Sequence, residues 1–194
     1  SRYRFRKVLE MDLSRLPGFT GLVLLSNNPL GGIFQHSVVV IVQHNRDTET
    51  MGLCINLPLR LMLNDFDEVT WGAFGNVPVF RGGPSQPKRL LVTSMHWDEH
   101  RQTLRWQLGL DQQQALQIKS RHPKSGLKAY CGHMIWQPGQ LIDEVQKNLW
   151  LPVPVPSHKI FKTTNRNLWH TLMFQFYPEY LRGFTRFPEN PTMN

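Results

Sequence analysis

The run SVVVIV, Ser37–Val42, constrains this chain more than any other stretch. Its β-branched side chains are stiff at χ1 and suit a pleated strand. They also lack polar alternation, so the strand they form has apolar surroundings on both faces. After the polar loop QHNRDTET, the stretch MGLCIN (Met51–Asn56) shows the same pattern, and the two read as a hairpin of buried strands. Neither this run nor GLVLL (Gly21–Leu25) approaches the ~20 apolar residues of a membrane-spanning helix.

The remaining elements mix strands with helices. GLVLLS is a strand, and NNPLGGIFQH carries Asn-Pro and Gly-Gly turn signals. LPLRLMLNDFDEVTWGAFGN reads as one helical turn with a glycine-containing connection, and VPVF as a short strand ended by RGGPS. RLLVTSM and TLRWQL are strands joined by HWDEHRQ. In the second, Leu104, Trp106 and Leu108 face one way while Thr103, Arg105 and Gln107 face the other. Asp111 is placed to cap a helix through QQQALQIKS that ends near Pro123 and Gly126. LKAYC runs as a strand through GHMI. The proline spacing of LPVPVP marks an edge strand or linker, and Leu168, Leu172 and Phe176 give NLWHTLMFQF a helical stripe. Hairpins interspersed with helices imply an α+β fold rather than a regularly alternating parallel sheet.

A length of 194 residues suits one domain with a substantial core. The expected boundaries are a basic arm and short helix over 1–16, an α+β domain over 17–180 and a loose tail over 181–194. With 40% hydrophobic and 19% charged residues, the composition is that of an ordinary globular chain. No signal-peptide pattern opens it. Two cysteines, Cys54 and Cys131, are too few for a disulfide framework, and read as reduced thiols in a cytoplasmic protein. The net charge is +8, and Arg2, Arg4, Arg6 and Lys7 supply half of it within SRYRFRK. Tyr3 and Phe5 interleave with these cations, so the arm is the candidate for weak nucleic-acid contact. Its competing reading is a solvated tail.

Four motifs bear on chemistry. IWQPGQLIDEV (Ile135–Val145) opens on Trp, Pro, Gly and Gln before an amphipathic run. With Pro138 at the first helical position, Gln137 becomes the N-cap. Gln140 then reaches back to the cap's N–H, and Trp136 packs on Leu141 as a hydrophobic staple. The same helix start offers free N–H groups to an anion, and Gly139 leaves room for close approach. HWDEH (His96–His100) matches an inverted zinc-protease pattern, which needs both histidines on one helix face. Here it falls where a hairpin turn is expected, so no metal site is assigned. RGGPS (Arg81–Ser85) resembles a phosphate-wrapping turn but lacks the Lys-Ser/Thr of a P-loop. CGH (Cys131–His133) holds two ligand types without a partner pair. His36 and His44 bracket one strand, about 26 Å apart at ~3.3 Å per residue, and cannot share a metal. No G-x-S-x-G element or marked carboxylate pair occurs.

Taken in order, five stretches resemble the AlgH-like (YqgE) family of bacterial proteins. They are GLVLLSNNPLGGIFQHSVVVIVQHN, MGLCINLPL, VPVFRGGPSQPKRLLV, IWQPGQLIDEV with WLPVP, and IFKTTNRNLWHTLM, spanning roughly residues 18 to 175. The resemblance implies a single α+β domain on a strongly curved, barrel-like mixed sheet with flanking helices. It also implies a regulatory role, in transcription in particular, without a defined reaction. The chain departs from the family pattern where His36 and Leu57 replace arginines, where Met134 and Ile135 replace small residues, and where Ile142 replaces a glutamate. A charged pocket shared by the family would be filled or neutralised here. Retained are Gly52, Asn56, Pro58, Gly82, Gly83, Pro84, Trp136, Pro138, Gly139 and Gln140.

The expectation is a binding or regulatory module without cofactor. Its ligand-binding candidates are Asn56, Gly82, Gly83, Trp136, Gly139 and Gln140. Two alternatives stand beside it. One is a hydrolase-type enzyme using a groove between the GGP turn and the WQPGQ helix start. The other is a structural interaction partner, which exposure of Trp71, Trp97 or Trp106 would support.

Overall fold

The computed structural model describes residues 20–28, 31–44, 47–153, 158–162 and 164–181. The expected N-terminal helix and the arm carrying Arg2, Arg4, Arg6 and Lys7 lie outside them, as does the chain beyond Leu181.

The buried hairpin forms as its sequence dictates. Strand β1 (Val23–Ser26) pairs antiparallel with β2 (Val38–Gln43), and β2 with β3 (Thr50–Cys54). Alternate side chains of these strands enter two separate clusters. In the first cluster, Val23, Leu25, Val38, Val40, Val42 and Leu53 pack under the C-terminal helix residues Leu168, Trp169, Leu172 and Met173. In the second, on the other face, Leu24, Val39, Ile41 and Cys54 pack against Trp136, Leu141 and Val145. A strand covered on both faces favours apolar side chains at successive positions, which is why Val38–Val42 shows no alternation.

LPLRLM is a strand rather than part of a helical turn: β4 (Pro58–Met62) leads into helix α1 (Asn64–Trp71) and a short 3-10 turn (Gly72–Phe74). β4 is a sheet edge with a largely exposed pattern, and a register shift with Arg60 at φ 57° interrupts its pairing. Apolar periodicity cannot mark such a strand, because little of it is buried. Then follow β5 (Pro78–Arg81), β6 (Ser85–Asp98) and β7 (Thr103–Leu108). HWDEH ends β6 and enters the turn before β7, so its histidines do not share a helix. Asp111 caps α2 (Gln112–Arg121) with a complete capping box: its carboxylate accepts from Gln114 N, and Gln114 Oε1 accepts from Asp111 N.

The long β8 (Gly126–Trp136) organises the sheet, which runs β4-β5-β8-β3-β2-β1-β9, with β6 and β7 branching from β8. The final elements are α3 (Gln140–Gln146), edge strand β9 (Trp150–Pro152), α4 (His158–Lys162), α5 (Leu168–Phe176) and α6 (Pro178–Leu181). Parallel pairing occurs between β5 and β8, and the rest is antiparallel. The fold is α+β with a curved mixed sheet that does not close into a barrel. A third cluster joins β5, β6 and the first half of β8 to α1 and α2 through Leu63, Trp71, Val79, Val92, Ala115 and Ala129.

Candidate functional site

The site begins with Gly132. It has φ 75° within β8, where an L side chain is strained, and it acts as a bulge. Tyr130 packs with the first cluster, yet Met134 and Trp136 pack with the second, on the opposite face of the sheet. One bulge residue therefore reverses which side chains face inward. It turns His133 and Ile135 toward the face from which Met51, Leu91 and Leu108 line the rim of the first cluster. Across the ladder, β6 carries a matching irregularity: Ser85 pairs with His133 and Leu90 with Cys131, so five steps on β6 span two on β8. Arg89 stands on that looped-out segment.

The GGP turn makes this bend. The chain leaves β5 on one flank of β8, crosses over it and enters β6 on the other. A Cβ on Gly82 would lie 2.2 Å from Gly132 O, and one on Gly83 would lie 2.1 Å from the His133 carbonyl carbon. Gly82 N donates to Cys131 O, and Gly82 O accepts from Cys54 N. RGGPS is thus a backbone-on-backbone crossing, with Gly82 and Gly83 buried in it.

Two adjoining cavities open at the bend. One, of about 540 Å³, lies among Gln43, Asp47, Thr48, Glu49, Met51, Ile135, Gln137 and Pro138. The other, of about 300 Å³, lies among Gln43, Met51, Arg89, Leu91, Leu108, Gly109, Gly132 and His133. Gln43 and Met51 belong to both, so the two form one cleft. Glu49 Oε1 accepts from Gln137 Nε2 at 3.0 Å, and Arg89 Nη1 donates to Gln86 Oε1 at 3.3 Å. His133 lines the smaller part with Arg89 and is only 6% exposed. Burial lowers its pKa first, the Arg89 charge lowers it further, and the Glu49 charge opposes both. The ring is therefore neutral near pH 7, with one nitrogen able to donate and the other to accept.

The six ligand candidates take different places. Asn56 is fully buried: its Oδ1 accepts from Val38 N at 2.8 Å and its Nδ2 donates to His36 O at 2.8 Å, which ties β2 to the chain after β3. Gly82 and Gly83 form the crossing and do not line the cleft. Trp136 is buried, and its Nε1 donates to Glu144 Oε2 at 2.9 Å, as does Trp150 Nε1. Gln140 Oε1 accepts from Gln137 N at 2.9 Å, the reach-back expected from the sequence, while its Nε2 donates to Glu144 Oε1 at 3.0 Å. Glu144 is thus a hub for three donors, and nothing in the local sequence singles it out.

The helix starts at Gln140, not Pro138. Gly139 at φ 80°, ψ −17° and the Gln140 N to Gln137 O bond make Gln137–Gln140 a type II turn, with Pro138 at its second position and Gly139 at its third. Leu141 and Val145 point inward as expected, whereas Leu149 lies beyond the helix and is only half-buried.

The positions that depart from the family pattern are apolar packing. Leu57 and Met134 are buried in the second cluster, Ile142 packs against it, and Ile135 lines the cleft. His36 stacks on Trp169 at 4.2 Å between ring centroids. Trp71 is buried, and Trp97 and Trp106 are half-buried against the first cluster. None of the three supplies the exposed aromatic surface that an assembly role would use. No helix among the described residues is long and apolar enough to cross a membrane.

The curved sheet, crossed by its own GGP turn over a bent central strand, defines an α+β class with a cleft at the bend. A family model described as AlgH-like matches residues 23–181, and the chain belongs to that family. It is 28% identical over 182 residues to a UPF0301 protein of Bacteroides fragilis, covering 90% of each chain. Among solved structures it resembles the AlgH protein of Pseudomonas aeruginosa, with a TM-score of 0.59, 21% identity, and coverage of 89% of this chain and 97% of that one. It likewise resembles a Corynebacterium diphtheriae protein, with a TM-score of 0.62, 20% identity, and coverage of 84% and 91%. At these identities the two structures show the shared fold.

Proposed function

We propose that the protein is a ligand-binding regulatory module whose binding site is the cleft at the bend of β8, with a small polar molecule as ligand. The observation that carries this reading is His133. It is an almost buried imidazole, no hydrogen bond among the described residues engages its ring, and it lines a cleft of ligand-binding size. The transcription-related role implied by the family resemblance fits a module that responds to such a ligand, with Arg2, Arg4, Arg6 and Lys7 as its contact to nucleic acid. A hydrolytic reading needs an activated nucleophile at the cleft. Cys54 does not provide one: burial pushes its thiol up to about 12, so it stays protonated inside the second cluster.

The test is a ligand-detected NMR screen of small polar compounds against the full chain and its Gln43→Trp variant. Gln43 is exposed and borders both cavities, so an indole there blocks the cleft without entering the core. Compounds that bind the parent chain and not the variant are the expected result. A screen that finds no binders, or only binders indifferent to the substitution, contradicts the proposal.

A further inference from the structure

We infer that the cleft takes a zwitterionic ligand of short-peptide type, its amino end at Glu49 and its carboxylate at Arg89 and His133. This deepens the cleft-binding reading and rests on it. Charged groups are distributed unevenly over the two adjoining cavities, which share Gln43 and Met51. The larger part carries carboxylates at Asp47 and Glu49, beside the Gln137–Pro138 turn. The smaller part carries the Arg89 guanidinium and the His133 ring. Within the described residues the Arg89 head group bonds only to the neutral Gln86 amide, and Glu49 only to the neutral Gln137 amide. Neither charge is neutralised by an ion pair there, and the two belong to different parts of the cleft, Glu49 to the larger and Arg89 to the smaller.

A simple anion would satisfy Arg89 and face the Glu49 carboxylate at the other end, and a simple cation would meet the reverse mismatch. One molecule with both charges, separated along its length, answers both ends. The middle of the cleft fits the middle of such a molecule. Gln43 offers an amide donor and acceptor, which match a peptide unit. Met51, Leu91 and Leu108 give an apolar wall for short side chains, and Met51 is adaptable enough to serve several. His133, neutral and unclaimed, can accept from or donate to the carboxylate end.

The experiment is a titration of the full chain with trialanine, followed by NMR, alongside its N-acetyl, C-amide and doubly capped forms. Trialanine is expected to shift the Met51 methyl and the Gln43 side-chain amide saturably. C-amidation and Arg89→Gln should each weaken binding about tenfold, and so should N-acetylation and Glu49→Gln. The C-amide should lose nothing further on Arg89→Gln, since both changes remove the same contact. Equal binding of the doubly capped form overturns the inference. So does the absence of a saturable shift at about 10 mM trialanine. If other small molecules still bind in a way that Gln43→Trp blocks, the peptide class fails and the cleft stands. If none does, both fail.

Discussion

Asn56 does three things with one amide: it accepts from Val38 N and from the Cys54 thiol and donates to His36 O. Asn56→Ala strands the buried Val38 N–H and the part-buried His36 carbonyl and should cost about 2–4 kcal/mol. A loss under about 0.5 kcal/mol in urea unfolding would show that water replaces the amide. Two glycines separate the effects of space and of backbone angle. Gly139 has φ 80°, and a Cβ added there would find nothing within 4 Å. Gly139→Ala should therefore cost only the strain, about 1 kcal/mol. Gly83 is the reverse case. Its Cβ would meet the His133 backbone at 2.1 Å. Gly83→Ala should cost about 3 kcal/mol or more, because backbone cannot swing aside. The sequence marks both as turn glycines and cannot tell them apart, since the crossing partner of Gly83 is fifty residues away in His133. For the same reason CGH reads as an unpaired ligand set. A glycine inside a strand pattern signals a bulge, and that signal at Gly132 points to the cleft.

At the scale of elements, α2 is legible from its Asp111 cap, while periodicity is legible where burial is uneven, as in β7 and α5. It is also legible where burial is total, as in β2. It misses β4, whose burial is slight. It also displaces the start of α3 by two residues, because Pro-Gly fits a type II turn as well as a first helical turn. The inward face of α3 follows from the spacing of Leu141 and Val145. Leu141→Ala should destabilise the chain by about 2–4 kcal/mol, with a cavity left beside Trp136. A change below about 0.5 kcal/mol would mean that the helix does not bury this face. The hub at Glu144 cannot be read locally, since Trp150 reaches it only after α3 ends and β9 turns back.

At the scale of the molecule, burial acts on several histidines in one direction. His36 is lowered by burial and then by His170. His96 is lowered by burial, His122 and Arg105 against the pull of Asp98, and His133 as described above. Each binds its proton less readily folded than unfolded. Their contribution to stability is complete above the unfolded histidine value of about 6.5 and is lost as pH falls through the lower folded values. Urea midpoints should therefore drop between about pH 7.5 and pH 5; a flat or rising profile would contradict this.

The nucleic-acid contact proposed for the basic arm is tested on the same scale. Four phosphate contacts from Arg2, Arg4, Arg6 and Lys7 would give log affinity a slope of about −3 to −4 against log salt. Deleting residues 1–7 should abolish that binding in a fluorescence-anisotropy series. Equal affinity and slope after deletion would make the arm a solvated tail.

The cleft and the helix start are the two candidate ligand sites, and both include residues of the Gln137–Gln140 turn. Amide chemical-shift mapping of the full chain, at saturation with a compound from the cleft screen, separates them. The predicted footprint is Gln43, Met51, Gly109, Gly132 and His133. A footprint centred instead on Trp136, Gly139, Gln140 and Glu144, the helix start that the sequence singles out, would contradict the cleft and return the site to that helix.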